Sequence, residues 1–253
     1  MRKSVERVGF RGEFLAWPPG SFPDGCPAHL DVPFAFKPFC FAEAAARGMG
    51  TVLWLDASCI AIRSLEPIFE RIEEHGHLLF RHSSLVLGEW AGDDALEELG
   101  LPREKALALP EVNAAAVGLK LTHPRAMAFL DEWRAAAGKG LAFRGTRQPV
   151  QGWDDYRAVK WNQSGRVSAD NRVRGHRHDQ TVAGVLAHRL GMELTGEGLE
   201  AYRRKTPVQL IRASTAIVVD RKRDGLSAML AVRVRRDKQL GRLASVLRRV
   251  PRP

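Results

Sequence analysis

Apolar residues recur along this chain in two patterns, short continuous runs and positions spaced three or four apart. The short runs cover 51–55, 77–80 and 112–119, and each predicts a strand because it is too short for a helix. Helical spacing follows Lys37, Ser64, Pro124 and Asp179. Short strands that alternate with helices predict an α/β fold with a mostly parallel sheet flanked by helices.

Residues 138–178 show neither pattern. They are rich in glycine and polar residues, with Trp153, Tyr156 and Trp161 interspersed. A long irregular loop in a compact domain is usually functional or disordered. We therefore expect Trp153 and Trp161 to stack on a bound ligand, or alternatively to be ordinary packing residues of the loop.

Charge separates the C-terminal segment from the rest. The chain carries a net charge of +10, but residues 203–253 hold 15 basic and 3 acidic residues, so this segment has +12 and residues 1–202 have −2. We expect an α/β domain over 1–202 and a basic extension over 203–253. Residues 238–250 have the spacing of a basic amphipathic helix, which favours an anionic membrane surface or packing against the domain over nucleic acid.

Composition favours a soluble cytoplasmic protein, peripheral at most to the inner face of the membrane. No stretch approaches the roughly 20 apolar residues that span a bilayer, and residues 1–10 have no apolar signal-peptide centre. The three cysteines show no C-x-x-C spacing, which argues against a disulfide framework or a zinc knuckle.

Asp56 is the first candidate for chemistry. It directly follows the apolar run 51–55, and ligands of open parallel sheets bind at the carboxyl ends of the strands. A carboxylate there can hold a hard divalent cation that neutralises a diphosphate leaving group. The alternative is that Asp56 only caps a turn.

Four stretches in order carry a resemblance: K-P-x-x-x-A-E-A from Lys37, VLWLDAS, EVNAAAVGL and GHRHDQTVAGVLAHRLGM. Their order resembles that of nucleotide-sugar-dependent glycosyltransferases of the GT-A fold, especially the relatives of glycogenin and the galactosyltransferases. The resemblance covers about residues 10 to 195 and implies a GT-A-like sheet that binds a nucleoside-diphosphate sugar.

The resemblance also implies roles for individual residues. Asp56 and Ser58 would be the metal-binding pair, Asn113 would contact the donor sugar, and Asp179 with Gln180 would lie at the reaction centre. Further substrate-binding candidates are Lys37, Arg63, Trp153, Trp161 and His178. Simpler structural roles stay open: a solvated HRHD loop, an exposed Arg63, Asp179 as a helix cap and Asn113 as a partner of backbone groups.

The chain departs from the family pattern in two places. Ser58 replaces the second acid, so the affinity for Mn²⁺ or Mg²⁺ should be weaker unless another group substitutes. The candidates are His176, His178 or Asp179 as ligands, and Arg63 or Arg177 as cations that contact the phosphates directly. Only residues 1–8 precede the region of resemblance, so the first, nucleotide-binding strand of the family is expected to be missing from this sequence.

The sequence therefore predicts a glycosyltransferase that moves a sugar from a nucleoside-diphosphate sugar to a glycan or other acceptor. One alternative is a non-catalytic relative that binds a nucleotide or a sugar. A second is a basic protein that binds anionic membrane or nucleic acid through its C-terminal segment. The P-loop, Rossmann G-x-G-x-x-G, G-x-S-x-G and H-E-x-x-H motifs are absent.

Overall fold

The structure is a computed structural model that describes residues 1–18, 20–201 and 215–219. Contacts along the chain divide it into two compact units. Unit 1 contains Met1–Gly12, Asp56–Glu66 and the described residues from Glu197 onward. Unit 2 contains Glu13–Leu55 and Pro67–Gly196, and it holds most of the hydrophobic core.

The helices of the described chain are α1 (Arg2–Arg7), α2 (Phe36–Ala46), α3 (Glu66–His75), α4 (Asp93–Glu98), α5 (Arg103–Leu107), α6 (Pro124–Lys139), α7 (Leu141–Arg144), α8 (Gly152–Lys160) and α9 (Asp179–Arg189). The strands are β1 (Thr51–Leu55), β2 (Cys59–Ala61), β3 (His77–Val86), β4 (Pro110–Lys120), β5 (Leu194–Thr195), β6 (Leu199–Ala201) and β7 (Ile217–Val219). Short 3₁₀ turns lie at Leu87–Trp90 and Gln163–Gly165. No helix in this part of the chain is long and apolar enough to cross a membrane.

The main sheet, in unit 2, has the strand order β1-β4-β3-β5. Strand β4 pairs antiparallel with both of its neighbours, opposite Leu55 of β1 through Ala116 and opposite Leu79 of β3 through Val117. Only the short β5 runs parallel to β3. The prediction of a mostly parallel, Rossmann-like GT-A sheet is therefore wrong: the fold is mixed α/β with a mostly antiparallel main sheet.

The error arises in the connection between β3 and β4. Strand β3 continues past Phe80 through polar residues, and its last residue, Val86, still pairs with Pro110. Helices α4 and α5 in the connection are short and pack against α7 and the Leu87–Trp90 turn. The chain thus returns beside β3 as a wide antiparallel pair, without the crossover helix that a parallel partner requires.

The core of unit 2 forms where α9 and α6 pack over β4. Most side chains along Val112–Leu119 are small or β-branched, and all are buried, so the helix can approach the sheet closely. Gly184 of α9 marks this approach, because a Cβ atom there would lie 2.6 Å from Cδ1 of Leu87 and 3.2 Å from Oε1 of Glu111. Helix α6 begins at Pro124, as the sequence predicts, and contributes the buried Trp133.

Residues 138–178 are more regular than predicted, since they contain α7, α8 and the second 3₁₀ turn. In unit 1, β7 pairs antiparallel with β2 and parallel with β6. The basic extension over 203–253 lies outside the described residues apart from 215–219, and so does the predicted helix over 238–250.

Candidate functional site

A buried ion pair joins two of the predicted site residues. The Nζ atom of Lys37 lies 2.7 Å from Oδ2 of Asp179, and the two side chains are 3% and 5% exposed. Lys37 also donates a hydrogen bond of 2.8 Å to the backbone carbonyl of Ala114, next to Asn113. Charged side chains are almost never this deeply buried unless they are paired, because an unpaired buried charge is costly, so each of these two side chains requires the other.

Each partner comes from a different element. Lys37 lies in the first turn of α2, Ala114 on the central strand β4, and Asp179 at the first position of α9. Trp133 of α6 donates its indole N–H to the backbone carbonyl of Asp179, at 3.3 Å. Asn113 accepts a hydrogen bond at Oδ1 from the Ala115 N–H, at 3.2 Å. The start of α9 is therefore held against β4 and α6.

His176 is a structural residue. Its Nδ1 accepts a hydrogen bond from the Gly92 N–H at 3.2 Å, so its Nε2 carries the proton and donates to the Phe143 carbonyl, also at 3.2 Å. Complete burial lowers the pKa of His176 to about 4, because the charged imidazolium would lose its water. His176 is thus neutral with both nitrogens used, and the prediction of a solvated HRHD loop does not hold for it.

His178 differs from His176 because only one of its two ring nitrogens is hydrogen-bonded within the described residues. Its Nδ1 lies 3.0 Å from the same Phe143 carbonyl, to which it must donate, but its buried Nε2 has no hydrogen-bond partner in the described chain. Burial and the nearby His176 lower the pKa of His178 well below its usual value. Its backbone angles are φ 54° and ψ −120°, a strained conformation for a residue with a side chain.

Aromatic rings surround His178. Tyr156 of α8 stacks on its ring at a centroid distance of 5.2 Å, and Phe34, also at positive φ, lies 5.8 Å away. The ammonium group of Lys37 lies 5.4 Å from the Phe34 ring, which connects the ring cluster to the ion pair. Trp153, 55% exposed, packs edge-on against Tyr156. Sequence reasoning missed Phe34, because its backbone angle has no local sequence signal.

Trp161 belongs to a neighbouring group of rings and cations. It is 51% exposed and lies edge-on to Trp90, while the guanidinium of Arg177 lies 4.0 Å from the Trp90 centroid and 5.6 Å from that of Trp161. Lys160 lies within 6 Å of both Tyr156 and Trp161, so it joins this group to the one around His178. The exposed Trp161 ring beside these cations suits planar or anionic ligands.

Two further buried polar side chains are Glu111, which lies beside α9, and Gln180, which belongs to α9. Glu111 is fully buried at the start of β4, and burial raises the pKa of its carboxyl well above the usual value. Its Oε1 accepts a hydrogen bond from the Val112 N–H. Gln180 follows Asp179, and its buried side-chain nitrogen has no hydrogen-bond partner within residues 1–18, 20–201 and 215–219. Sequence reasoning missed Glu111, although it adjoins the apolar run that forms β4.

The remaining predicted residues lie in unit 1. Asp56 and Ser58 are half-buried, and the Asp56 carbonyl accepts the Cys59 N–H at 2.8 Å, which fits a turn. Arg63 is exposed and donates to the Thr215 carbonyl. Across the described ranges, no three or more His, Cys, Asp or Glu side chains are placed to hold one metal ion. The Asp56 and Ser58 metal site stays a prediction.

A surface cleft of about 510 Å³ also lies in unit 2. Trp17, Phe22, Glu43 and Arg47 are among its lining residues, and none of the buried polar residues around Asp179 is. Three of its polar side chains are paired with one another, since Glu43 accepts from the Trp17 indole and pairs with Arg47. We therefore take the Lys37–Asp179 region, with its unpartnered buried nitrogens, as the stronger candidate site.

Comparisons of the chain with protein families, with curated proteins and with solved structures gave no match.

Proposed function

We propose that this protein is a glycosyltransferase whose sugar-binding site is built around the Lys37–Asp179 ion pair. One observation supports the proposal most. Three of the four segments that carry the resemblance to nucleotide-sugar transferases meet at one ammonium group, where Lys37 contacts Ala114 at 2.8 Å and Asp179 at 2.7 Å. These segments are far apart in sequence, so their meeting is independent of the order that suggested the resemblance.

The polar groups around the pair suit a sugar. Asn113, His178 and Gln180 present amide and imidazole atoms that hydrogen-bond to hydroxyl groups. The exposed Trp153, packed edge-on against Tyr156, presents an apolar ring face of the kind on which sugar rings pack. Binding sites commonly combine such aromatic walls with a few placed polar groups.

In the proposed reaction, the oxygen of an acceptor hydroxyl forms a bond to the anomeric carbon of the donor. The bond between that carbon and the diphosphate oxygen breaks, and its electron pair leaves with the nucleoside diphosphate. The hydroxyl proton passes to the departing diphosphate or to water. Arg177, held against Trp90, is the cation of this site that we assign to the diphosphate, where charge develops.

The sequence-based prediction also assigns a metal ion to Asp56 and Ser58, where it would stabilise negative charge on a diphosphate. The donor set fits only a weakly held ion, because Asp56 and Ser58 offer one carboxylate and one hydroxyl. Addition of Mn²⁺, together with an Asp56→Ala variant, tests this part of the sequence-based prediction separately.

A second candidate is a non-catalytic protein that binds a nucleotide sugar. It is favoured by the state of Asp179, because the carboxylate proposed for the reaction centre is held by Lys37 at 2.7 Å. A carboxylate in a buried ion pair is a weaker proton acceptor than a free one.

The test is release of nucleoside diphosphate from UDP-glucose, UDP-galactose, UDP-N-acetylglucosamine and GDP-mannose, with and without Mn²⁺ and with water as the acceptor. We expect slow release from at least one donor, which Arg177→Gln removes because it lacks the cation assigned to the diphosphate. The control is Arg157→Gln, since the Arg157 side chain is 64% exposed. Binding without release would support the second candidate, and absence of both would overturn the proposal.

A further inference from the structure

His178 presents a hydrogen-bond acceptor that the fold itself does not use. The carbonyl of Phe143 can only accept, so Nδ1 of His178, 3.0 Å away, carries the proton. The low pKa of this buried ring keeps the second nitrogen unprotonated. Its Nε2 therefore bears a lone pair, and no described residue donates a hydrogen bond to that atom.

The fold fixes the direction of this lone pair. Tyr156 stacks on the His178 ring with an interplanar angle of 12°, and His176 meets the ring edge-on at 5.2 Å. Because His176 and His178 donate to the same carbonyl, neither ring can turn without loss of a buried hydrogen bond. The acceptor is thus held in place before any ligand binds.

Two features of His178 oppose folding. A buried acceptor without a partner costs about 1–3 kcal/mol, and a strained backbone of this kind costs about the same. Both occur on one residue, which is 2% exposed. Such strain concentrates at ligand sites, where it holds a group in its working orientation.

The unpartnered groups indicate the chemistry of the ligand. Two residues after His178, the Gln180 side chain offers a buried N–H donor that is also unused in the described chain. Phosphate and carboxylate oxygens at neutral pH accept hydrogen bonds, so they can bind Gln180 but not Nε2 of His178. A hydroxyl group both donates and accepts, and a sugar carries several neighbouring hydroxyls.

We propose that Nε2 of His178 accepts a hydrogen bond from a hydroxyl group of the bound sugar. His178 then selects the sugar-bearing donor over the bare nucleotide, which has no sugar at this position. This inference rests on the proposed function, and it assigns His178 to specificity for the sugar rather than to proton transfer.

The experiment compares affinities by calorimetry. Dissociation constants for UDP, UDP-glucose, UDP-galactose and UDP-N-acetylglucosamine are measured on the parent protein and on His178→Phe, which keeps a ring against Tyr156 but removes the acceptor. The control is His188→Phe, the same change in the last turn of α9, where Nε2 bonds to the Pro110 carbonyl. The quantity compared is the affinity for each sugar nucleotide relative to that for UDP.

We expect the parent and His188→Phe to prefer at least one sugar nucleotide over UDP. In His178→Phe this preference should fall about 10- to 100-fold, which corresponds to one lost hydrogen bond that leaves a hydroxyl unpaired. Binding of UDP itself should stay the same. An unchanged preference in His178→Phe would overturn the role of His178 and leave the proposed function standing, whereas a parent protein that binds no sugar nucleotide would overturn both.

A second measurement covers the case in which His178→Phe does not fold. Long-range ¹H–¹⁵N spectra of the histidine rings distinguish a protonated from an unprotonated nitrogen in the unmodified protein. We expect Nε2 of His178 to be unprotonated and to shift when the preferred sugar nucleotide is added, but not with UDP alone. A proton on Nε2, or equal shifts with UDP, would refute the proposal.

Discussion

Removal of one partner of the Lys37–Asp179 pair should be far more harmful than removal of both. The atoms lie 2.7 Å apart, which at an effective dielectric constant of about 20 corresponds to roughly 6 kcal/mol of attraction. Loss of water by two buried charges offsets much of this attraction. The net value of the pair is small, but a single buried charge left behind is not compensated.

We therefore expect Lys37→Met and Asp179→Leu each to lower the free energy of unfolding by about 3–5 kcal/mol. The double variant should lose only about 0–2 kcal/mol, mainly through the lost bond from Lys37 to Ala114 and the lost acid in the first turn of α9. The coupling energy between the two sites would then be at least about 4 kcal/mol.

Urea unfolding followed by tryptophan fluorescence measures these changes, because all six tryptophans lie in unit 2. The control is Arg157→Met, which breaks the pair of Arg157 with Asp154, whose side chains are 64% and 96% exposed. An exposed pair contributes less than about 1 kcal/mol. Additive losses in the double variant, or single losses as small as in the control, would refute the buried pair.

Three further predictions concern residues beside this pair. Since the pKa of His176 is lowered to about 4, the unfolded state binds a proton first as the pH falls, and from pH 7 to 5 His176 should remove about 2 kcal/mol of stability. In urea titrations the difference in the free energy of unfolding between the parent and His176→Phe should narrow by that amount, and a constant difference would contradict this prediction. Burial raises the pKa of Glu111, so as the pH rises its carboxyl ionises in the unfolded state before it does in the folded state, and the parent loses stability. Glu111→Gln should therefore gain stability relative to the parent from pH 5 to 8, and parallel profiles of unfolding free energy against pH would count against this. Gly145→Ala should lower the free energy of unfolding by about 2–4 kcal/mol, because Gly145 has φ +80° and a Cβ atom would lie 2.3 Å from the His176 ring. The control Gly138→Ala lies in α6, where a Cβ atom meets open space, and should raise the free energy of unfolding by up to about 1 kcal/mol. Equal effects of the two variants would contradict the packing around His176.

Local patterns in the sequence predict elements well but not their directions. The bounds of β1 and the starts of α6 and α9 follow from apolar runs, from Pro124 and from Asp179. Strand β4 reads as a continuous apolar run, which is typical of parallel strands buried on both faces. Here the same run forms the centre of an antiparallel sheet covered by helices. The burial of a strand determines its apolar composition, whereas the connection between β3 and β4 determines the direction of β4 relative to β3.

The sequence predicts individual residues of the candidate site but not how they are arranged. The sequence singles out Lys37 and Asp179, but nothing local pairs a lysine with an aspartate so far along the chain. The strained backbone of His178 and the shared Phe143 carbonyl depend on packing between α7, α8 and α9. Asp56 shows the opposite case, since its predicted role relied on a mostly parallel sheet, whereas the main sheet of the described residues is mostly antiparallel.

Equilibrium binding tests the central claim most directly. UDP-glucose, UDP-galactose, UDP-N-acetylglucosamine and GDP-mannose are each titrated into the parent protein and into the Asn113→Ala variant, and the folding of both proteins is confirmed in parallel. The proposal predicts that at least one of them binds the parent with a dissociation constant below about 1 mM, and that Asn113→Ala weakens this binding about tenfold or more while it stays folded. If none of the four binds the parent, or if Asn113→Ala binds equally well, the buried polar cluster around Lys37 and Asp179 is not a nucleotide-sugar site.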